Sequence, residues 1–357
     1  MRVLQLIDSL NPGGAERVAV SYANALLGAV EASFLCSTRA EGKLKAQLDS
    51  EVGYLFLKKR SAADLLALMR LIRFCKRNKI DVIHAHATSF FTARLAVLFL
   101  GRCQLIWHDH YGNSETLEQR PLKVLAWCSN RFNTVLAVNQ KLADWAKEFL
   151  KAEQVLYLEN AVPMLDADRI EAVELPGTTG YRILQMANFR PQKDHSNALR
   201  ALAEVRKTLP EVSLHLLGMN WQDPYYQEVL ALIESLEIST AVHLHGSQQD
   251  VNGYMKACDV GLLSSQSEGL PMAVLEYAAM DLPVVCTRVG QCEELVGSAG
   301  YTVPASDPAA LANALVKALK QKEESKKKAQ DFKKQIAKRY SIQTIIPKLL
   351  AVYGKTY

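Results

Sequence analysis

The sequence predicts an α/β chain built from two doubly wound parallel layers, and three observations carry that prediction. Strand-like and helix-like patterns alternate from the first residue, which marks parallel α/β layers rather than separate α and β blocks. The alternation is lost once, from about Pro163 to Gly180, a stretch holding Asp166, Asp168, Glu171, Glu174, Pro176, Gly177 and Gly180, and such a break is where a domain boundary falls. It then resumes with the apolar run Tyr181-Arg-Ile-Leu-Gln-Met. A chain of 357 residues, 49% apolar, is long enough to bury two cores.

Taken in order, strand-like segments in the first half fall near Val3–Asp8, Glu31–Ser37, Tyr54–Leu57, Asp81–His86, Gln104–Trp107, Thr134–Val138 and Val155–Leu158, with helical periodicity between most of them. The second half repeats the scheme near Arg182–Ala187, Ser213–Leu217, Val242–His245, Val260–Ser264, Pro283–Cys286 and Tyr301–Val303. Ile342–Tyr353 has the apolar spacing of a helix that buries one face.

Composition excludes several classes. No run of about 18 uninterrupted apolar residues occurs, so no bilayer-spanning helix is expected. The start, Met1-Arg-Val-Leu-Gln-Leu-Ile-Asp, turns acidic too soon for a secretory signal, and a cytoplasmic location is expected. The seven cysteines are scattered without a Cys-x-x-Cys pair, as suits reduced packing thiols. The net charge of +5 is mild, with much of the excess from Lys317 onward on a solvated helical stretch. Nucleic-acid binding lacks aromatic or motif support.

The most informative stretch is Glu268-Gly-Leu-Pro-Met-Ala-Val-Leu-Glu276, directly after Asp259-Val-Gly-Leu-Leu and Ser264-Ser265. The apolar run reads as a buried parallel strand, and Pro271 opens the helix that follows. Glu268 then lies in the loop beyond the strand's carboxyl end, where open α/β sheets bind ligands, while Glu276 lies more than a turn inside the helix. First-turn amides at Leu270, Met272 and Ala273 could hold an anion.

This block, with seven residues between the glutamates and followed by Asp281-Leu-Pro-Val-Val-Cys-Thr-Arg-Val-Gly290 and Glu293-Glu294, resembles the signature of retaining GT-B glycosyltransferases of family four, which build bacterial surface glycans and glycolipids. The resemblance covers nearly the whole chain. It implies two doubly wound Rossmann-like domains facing a cleft: residues 1–165 on the acceptor side, a linker 166–180, a donor domain 181–340, and a segment 341–357 returning to the first domain. It also implies that Glu268 meets the transferred sugar's hydroxyls, that the backbone from Gly269 through Leu270 and Met272 to Ala273 meets the diphosphate, and that Glu276 accepts hydrogen bonds from the ribose.

Three further segments take meaning from it. Asn11-Pro-Gly-Gly-Ala-Glu16 joins the first strand to the first helix, and two glycines let backbone approach a ligand closely. By resemblance Gly13 and Gly14 reach the donor diphosphate, while Glu16 suits the helix dipole. Neither Gly-x-Gly-x-x-Gly nor a P-loop occurs there. In Asn188-Phe-Arg-Pro-Gln-Lys193, many members carry Arg at the position of Asn188 and Lys at that of Lys193, both neutralising the leaving diphosphate. Here the first is missing. Arg190 either supplies that charge or lies on the surface, leaving Lys193 to act with backbone amides.

Trp107-His108-Asp109 ends a strand, and by resemblance His108 stands near the reacting centre, whereas a strand-end histidine is otherwise structural. His84 and His86 alternate and share one face, and a zinc reading lacks further ligands. His243 and His245 precede Gly246-Ser247, a turn that by resemblance receives the nucleobase. No Asp-x-Asp stands at a strand end, and the resemblance implies an enzyme that works without a metal, so no metal and no cofactor are expected beyond a UDP- or GDP-sugar co-substrate.

The expected function is retaining transfer of a hexose-type residue from a nucleotide sugar to a glycan or lipid-linked glycan. Alternatives are a catalytically weak sugar-nucleotide-binding subunit and a GT-B nucleotide-sugar epimerase. The basic-apolar segments Leu65–Lys79 and Pro121–Arg131 read either as contacts to anionic membrane or as solvated helix faces.

Overall fold

Near-continuous apolar runs form strands buried on both faces, and such strands pair in parallel when helices cover both sides of the sheet. The computed structural model describes residues 1–112, 117–248 and 250–354. The chain divides into two compact units, one of Met1–Ala161 with Tyr340–Tyr357, the other of Val162–Arg339.

The first unit contains strands β1 (Arg2–Ser9), β2 (Ala32–Ala40), β3 (Gly53–Phe56), β4 (Val82–His86), β5 (Gln104–Asp109), β6 (Thr134–Ala137) and β7 (Gln154–Tyr157). They form one parallel sheet in the order β3-β2-β1-β4-β5-β6-β7. Leu4, Leu6, Ile83, Ala85, Leu105 and Trp107 point to one face, where helices Leu65–Arg77, Phe90–Val97 and Lys123–Ser129 cover them through Ala67, Leu71, Ala93, Ala96 and Leu125. Ile7 and Leu35 point to the other face, under helix Gly14–Ala25. The last helix, Ile342–Tyr353, packs on this second face as well. Its Tyr353 hydroxyl lies 3.2 Å from Gln5 Nε2 on β1 and 2.7 Å from His84 Nδ1 on β4.

The second unit contains β8 (Arg182–Met186), β9 (Ser213–Leu217), β10 (Val242–Gly246), β11 (Val260–Leu263), β12 (Val284–Thr287) and β13 (Tyr301–Val303). These also run parallel, in the order β10-β9-β8-β11-β12-β13. Ile183, Leu199, Leu202, Leu214, Leu216 and Leu262 lie in its core. Each sheet reverses its direction of growth once, at β1 in the first and at β8 in the second, so each is doubly wound. The seven cysteines are all free thiols.

Candidate functional site

In the second unit β8 lies between β9 and β11, so the point where strand order reverses is the β8–β11 junction. Open α/β sheets leave a crevice outside the carboxyl ends of the strands at such a point. The loops leaving β8 and β11 carry Lys193 and Glu268, and the two side chains meet there, Nζ to Oε1 at 2.6 Å. Glu268 is buried and Lys193 partly so. Ser265 Oγ donates a second hydrogen bond to the same carboxylate oxygen at 2.6 Å. Glu268 is thus a buried anion satisfied by one ammonium and one hydroxyl, the pairing that burial of a charge requires.

Cross-links between the two loops hold this pair. Ser264 Oγ lies 3.0 Å from the Lys193 carbonyl and 2.9 Å from that of Asp194, and accepts from Gln185 Nε2 at 3.0 Å. Gln266 N–H donates to the Gln192 carbonyl at 2.9 Å, and Gln266 Nε2 to Asp194 Oδ2 at 2.9 Å. Asp194 adopts a left-handed φ of 46° and caps helix His195–Arg206 by accepting from Asn197 N–H at 3.1 Å. Behind Glu268 the chain is closed by Gly290, also at positive φ. A Cβ there would stand 2.0 Å from the Glu268 carbonyl oxygen, so only glycine fits.

Helix Met272–Ala279 follows Pro271 and has no side-chain cap. Its intrahelical bonding starts with Val274 and Leu275, whose N–H groups go to the Pro271 carbonyl at 3.1 and 3.3 Å. The amides of Met272 and Ala273 lie ahead of them as first-turn donors, and Gly269 and Leu270 lead into that turn. Glu276 is half-buried one turn further on, beside Tyr277, whose hydroxyl accepts from Met186 N–H at 2.8 Å and ties the helix to the end of β8. Burial pushes the Tyr277 hydroxyl's pKa up, so it stays protonated. Gly246 ends β10 at a φ of +64°, its carbonyl accepting from Gly218 N–H at 3.0 Å.

Asn188 lies half-buried in the β8 loop. Its Oδ1 accepts from Met219 N–H at 2.9 Å and so pins the β8 loop to the end of β9. Arg190 is exposed, with its guanidinium carbon 4.9 Å from the centre of the Trp221 ring. Of the three polar side chains in this loop that the sequence singles out, Lys193 alone meets Glu268.

Gly13, Gly14 and His108 belong to the first unit. Gly13 is the extended residue ahead of helix Gly14–Ala25, and a Cβ on it would meet Glu16 Oε2 at 2.4 Å, so the Glu16 carboxylate folds back over the glycine turn. His108 sits on β5, fully buried, and neither ring nitrogen has a hydrogen-bond partner among the described residues. It belongs to a stack of imidazoles that the alternation on β4 only half predicts. Register pairs His86 with His108 across the strands, His84 lies on the same face, and His110 follows.

Ring centroids in the stack are 4.1–5.5 Å apart, and Tyr22 covers it. The fold therefore brings His84, His86 and His108 to within 4.8 Å of one another by their ligating atoms, supplying the third ligand that the sequence did not reveal. A metal needs lone pairs that converge from splayed rings. Here the three ring planes lie 14–33° apart and His86 spends both nitrogens on Gln5 and His110, while His84 Nε2 and the two nitrogens of His108 have no partner among the described residues. The arrangement is a packed layer of neutral rings. Burial and the neighbouring imidazoles hold His84, His86 and His108 well below the usual histidine pKa.

Ser265, Ser264 and Asp194 are the site residues that motif reading passed over. A Ser-Ser pair at a strand end and an Asp immediately before a helix were the available signals.

Two parallel doubly wound units are the architecture of the GT-B class. Two family models cover most of the chain: Glycosyltransferase Family 4 over residues 12–164 and Glycosyl transferases group 1 over residues 166–339. The chain belongs to this family and is a glycosyltransferase of polysaccharide or glycoconjugate biosynthesis. It is 22% identical to an N-acetyl-alpha-D-glucosaminyl L-malate synthase of Bacillus anthracis over 81% of this chain and 78% of that protein. It is 22% identical to the amylovoran biosynthesis glycosyltransferase AmsD of Erwinia amylovora over 85% of each. Among solved structures, Anabaena Alr3699/HepE in complex with UDP and glucose superposes with a TM-score of 0.81 at 19% identity, covering 98% of each chain.

Proposed function

We propose that this enzyme transfers a hexose-type sugar from a nucleotide sugar to a glycan or lipid-linked glycan with retention of the anomeric configuration, and that the β8–β11 junction holds the donor. The observation carrying the proposal is the Lys193–Glu268 pair, a cation and a carboxylate brought from separate loops to one switch point at 2.6 Å. Lys193 takes the leaving diphosphate, Glu268 the hydroxyls of the transferred sugar, the backbone from Gly269 to Ala273 the phosphate oxygens, Glu276 the ribose and Gly246 the base. The departing diphosphate gains charge as the bond breaks, and a fixed ammonium with first-turn amides stabilises that charge without a metal. Attack by the acceptor hydroxyl on the face the diphosphate leaves, with a phosphate oxygen taking its proton, needs positioning rather than a protein nucleophile. The complexes of the Anabaena protein with UDP and with UDP-glucose favour a uridine nucleotide as the first donor to try.

The test is calorimetric titration with UDP, GDP and ADP and their sugar conjugates, on the parent chain and on two variants. Loss of a charge-assisted hydrogen bond costs about 1.5–3 kcal/mol, so Lys193→Ala should weaken diphosphate binding by about tenfold or more. Glu268→Ala should leave that affinity nearly intact while cutting transfer by about a hundredfold. Normal transfer by Glu268→Ala removes the sugar-side assignment, and no binding of any nucleotide favours a silent subunit.

A further inference from the structure

Eight of the ten large apolar side chains found exposed among the described residues belong to the first unit: Leu65, Leu66, Met69, Leu98, Phe99, Val124, Trp127 and Phe149. Seven of them lie on or just beyond three neighbouring helices, Leu65–Arg77, Phe90–Val97 and Lys123–Ser129, on the face of the sheet away from helix Gly14–Ala25. The exposures are large, 69% at Leu65, 68% at Leu66 and 57% at Phe99. Trp127 is held in place, with the Arg94 guanidinium carbon 4.8 Å from the centre of its ring.

Cations surround these side chains. Arg60, Arg70, Arg73, Lys76, Arg77, Lys79, Arg102, Lys123 and Arg131 are all exposed. The only carboxylate in residues 60–79, 90–102 and 123–131 is Asp64, which is spent capping its helix by accepting from Ala67 N–H at 2.9 Å and from Arg60 N–H at 3.0 Å. On helix Leu65–Arg77 the two characters share one outward arc, with Leu65, Leu66 and Met69 toward its start and Arg73, Lys76 and Arg77 toward its end. No helix among the described residues is long and apolar enough to cross a membrane.

We propose that this helical layer is the docking face for a bilayer rich in anionic phospholipid. Exposed leucines, phenylalanine and tryptophan enter the headgroup boundary while the arginines and lysines take phosphate from the lipids around them. Like charge disfavours a second copy of the same face, because a two-fold interface would set these cations against themselves. A nucleic acid would use the cations but would leave the aliphatic side chains in water. The inference is independent of the donor assignment, since none of these residues lies in the second unit.

The test is co-sedimentation of the full chain with phosphatidylcholine vesicles, with and without 30 mol% phosphatidylglycerol, in about 0.1 M and 0.5 M salt. Partitioning should be at least tenfold stronger with the anionic lipid and should weaken at high salt. The double variant Arg73→Glu/Arg77→Glu should lose about tenfold, and Leu66→Ser/Phe99→Ser should lose as much while nucleotide titration stays unchanged. In a Trp221→Phe background, brominated lipid should quench Trp127. Equal partitioning on neutral and anionic vesicles, full binding by both double variants, or a dimer that Leu66→Ser dissociates would each overturn the proposal.

Discussion

At the residue scale the site turns on Glu268, because a buried carboxylate with two donors on one oxygen has little freedom to reorient. Ser265 is a positioning residue: its hydroxyl reaches Glu268 Oε1 at 2.6 Å from the end of β11. Ser265→Ala keeps the Lys193 pair and removes that constraint, so kcat should fall about tenfold with nucleotide affinity within about twofold of the parent. Ser265→Thr, which keeps the hydroxyl, should recover part of the rate. A joint fall of kcat and nucleotide affinity would instead mean that the loop had collapsed.

Asn188 explains why the family's arginine is not simply interchangeable here. Its Oδ1 satisfies Met219 N–H in a part-buried hydrogen bond, and the loss of such a bond costs about 0.5–1.5 kcal/mol. Asn188→Ala should therefore lower the unfolding midpoint by a few degrees, measurable by calorimetry.

At the scale of elements, Gly290 connects backbone to chemistry. Its φ of +52° alone would strain alanine, and the Cβ would also strike the Glu268 carbonyl oxygen. Gly101, with a φ of +66° and open space around it, isolates the first effect. Gly101→Ala should cost about 1–2 kcal/mol with normal transfer, whereas Gly290→Ala should also cut transfer at least tenfold by displacing Glu268. Equal behaviour of the two variants would show that the contact is absorbed elsewhere.

All thirteen strands described were legible in the sequence, because buried parallel strands are short apolar runs between turn residues. Their ends moved by up to three residues, as at β2, which continues to Ala40, since polar strand ends carry no periodic signal. Glu268 and Lys193 were legible as motif residues, but their contact was not: they are 75 positions apart and meet only because β8 and β11 are neighbours. The imidazole layer was hidden for the same reason. Alternation showed that His84 and His86 share a face, but only the register of β4 on β5 brings His108 beside His86.

At the scale of the whole molecule, the eight histidines make one prediction together. Every one of them is held below its ordinary pKa, with burial as the largest cause. The shift is to about 4 at His195 and to about 3 at His110 and His215. A base that is neutral when folded and free to protonate when unfolded gives the unfolded chain the larger proton uptake, so its stability contribution is present above pH 6.5 and is lost as pH falls toward the folded value. Each such group removes up to about 1.4 kcal/mol per pH unit in that window.

The five most enclosed, His84, His86, His108, His110 and His195, would together remove up to about 7 kcal/mol per unit, comparable with the whole stability of an ordinary domain. Tyrosines and cysteines do not offset this, because burial raises the pKa of Tyr22, Tyr353 and Cys75 further out of range. Asp259, raised by burial, works in the opposite sense but is a single group. Thermal unfolding followed at pH 7.5, 6.5 and 5.5 should therefore show a midpoint that already falls over the first step and falls roughly three times as far over the second. Replacing His108 by Phe, which removes one titrating ring and two unpaired nitrogens while keeping an aromatic in the stack, should make the fall shallower. A midpoint unchanged down to pH 5.5 would mean that the imidazole layer admits protons with partners of its own, and the neutral packing described for it would be wrong.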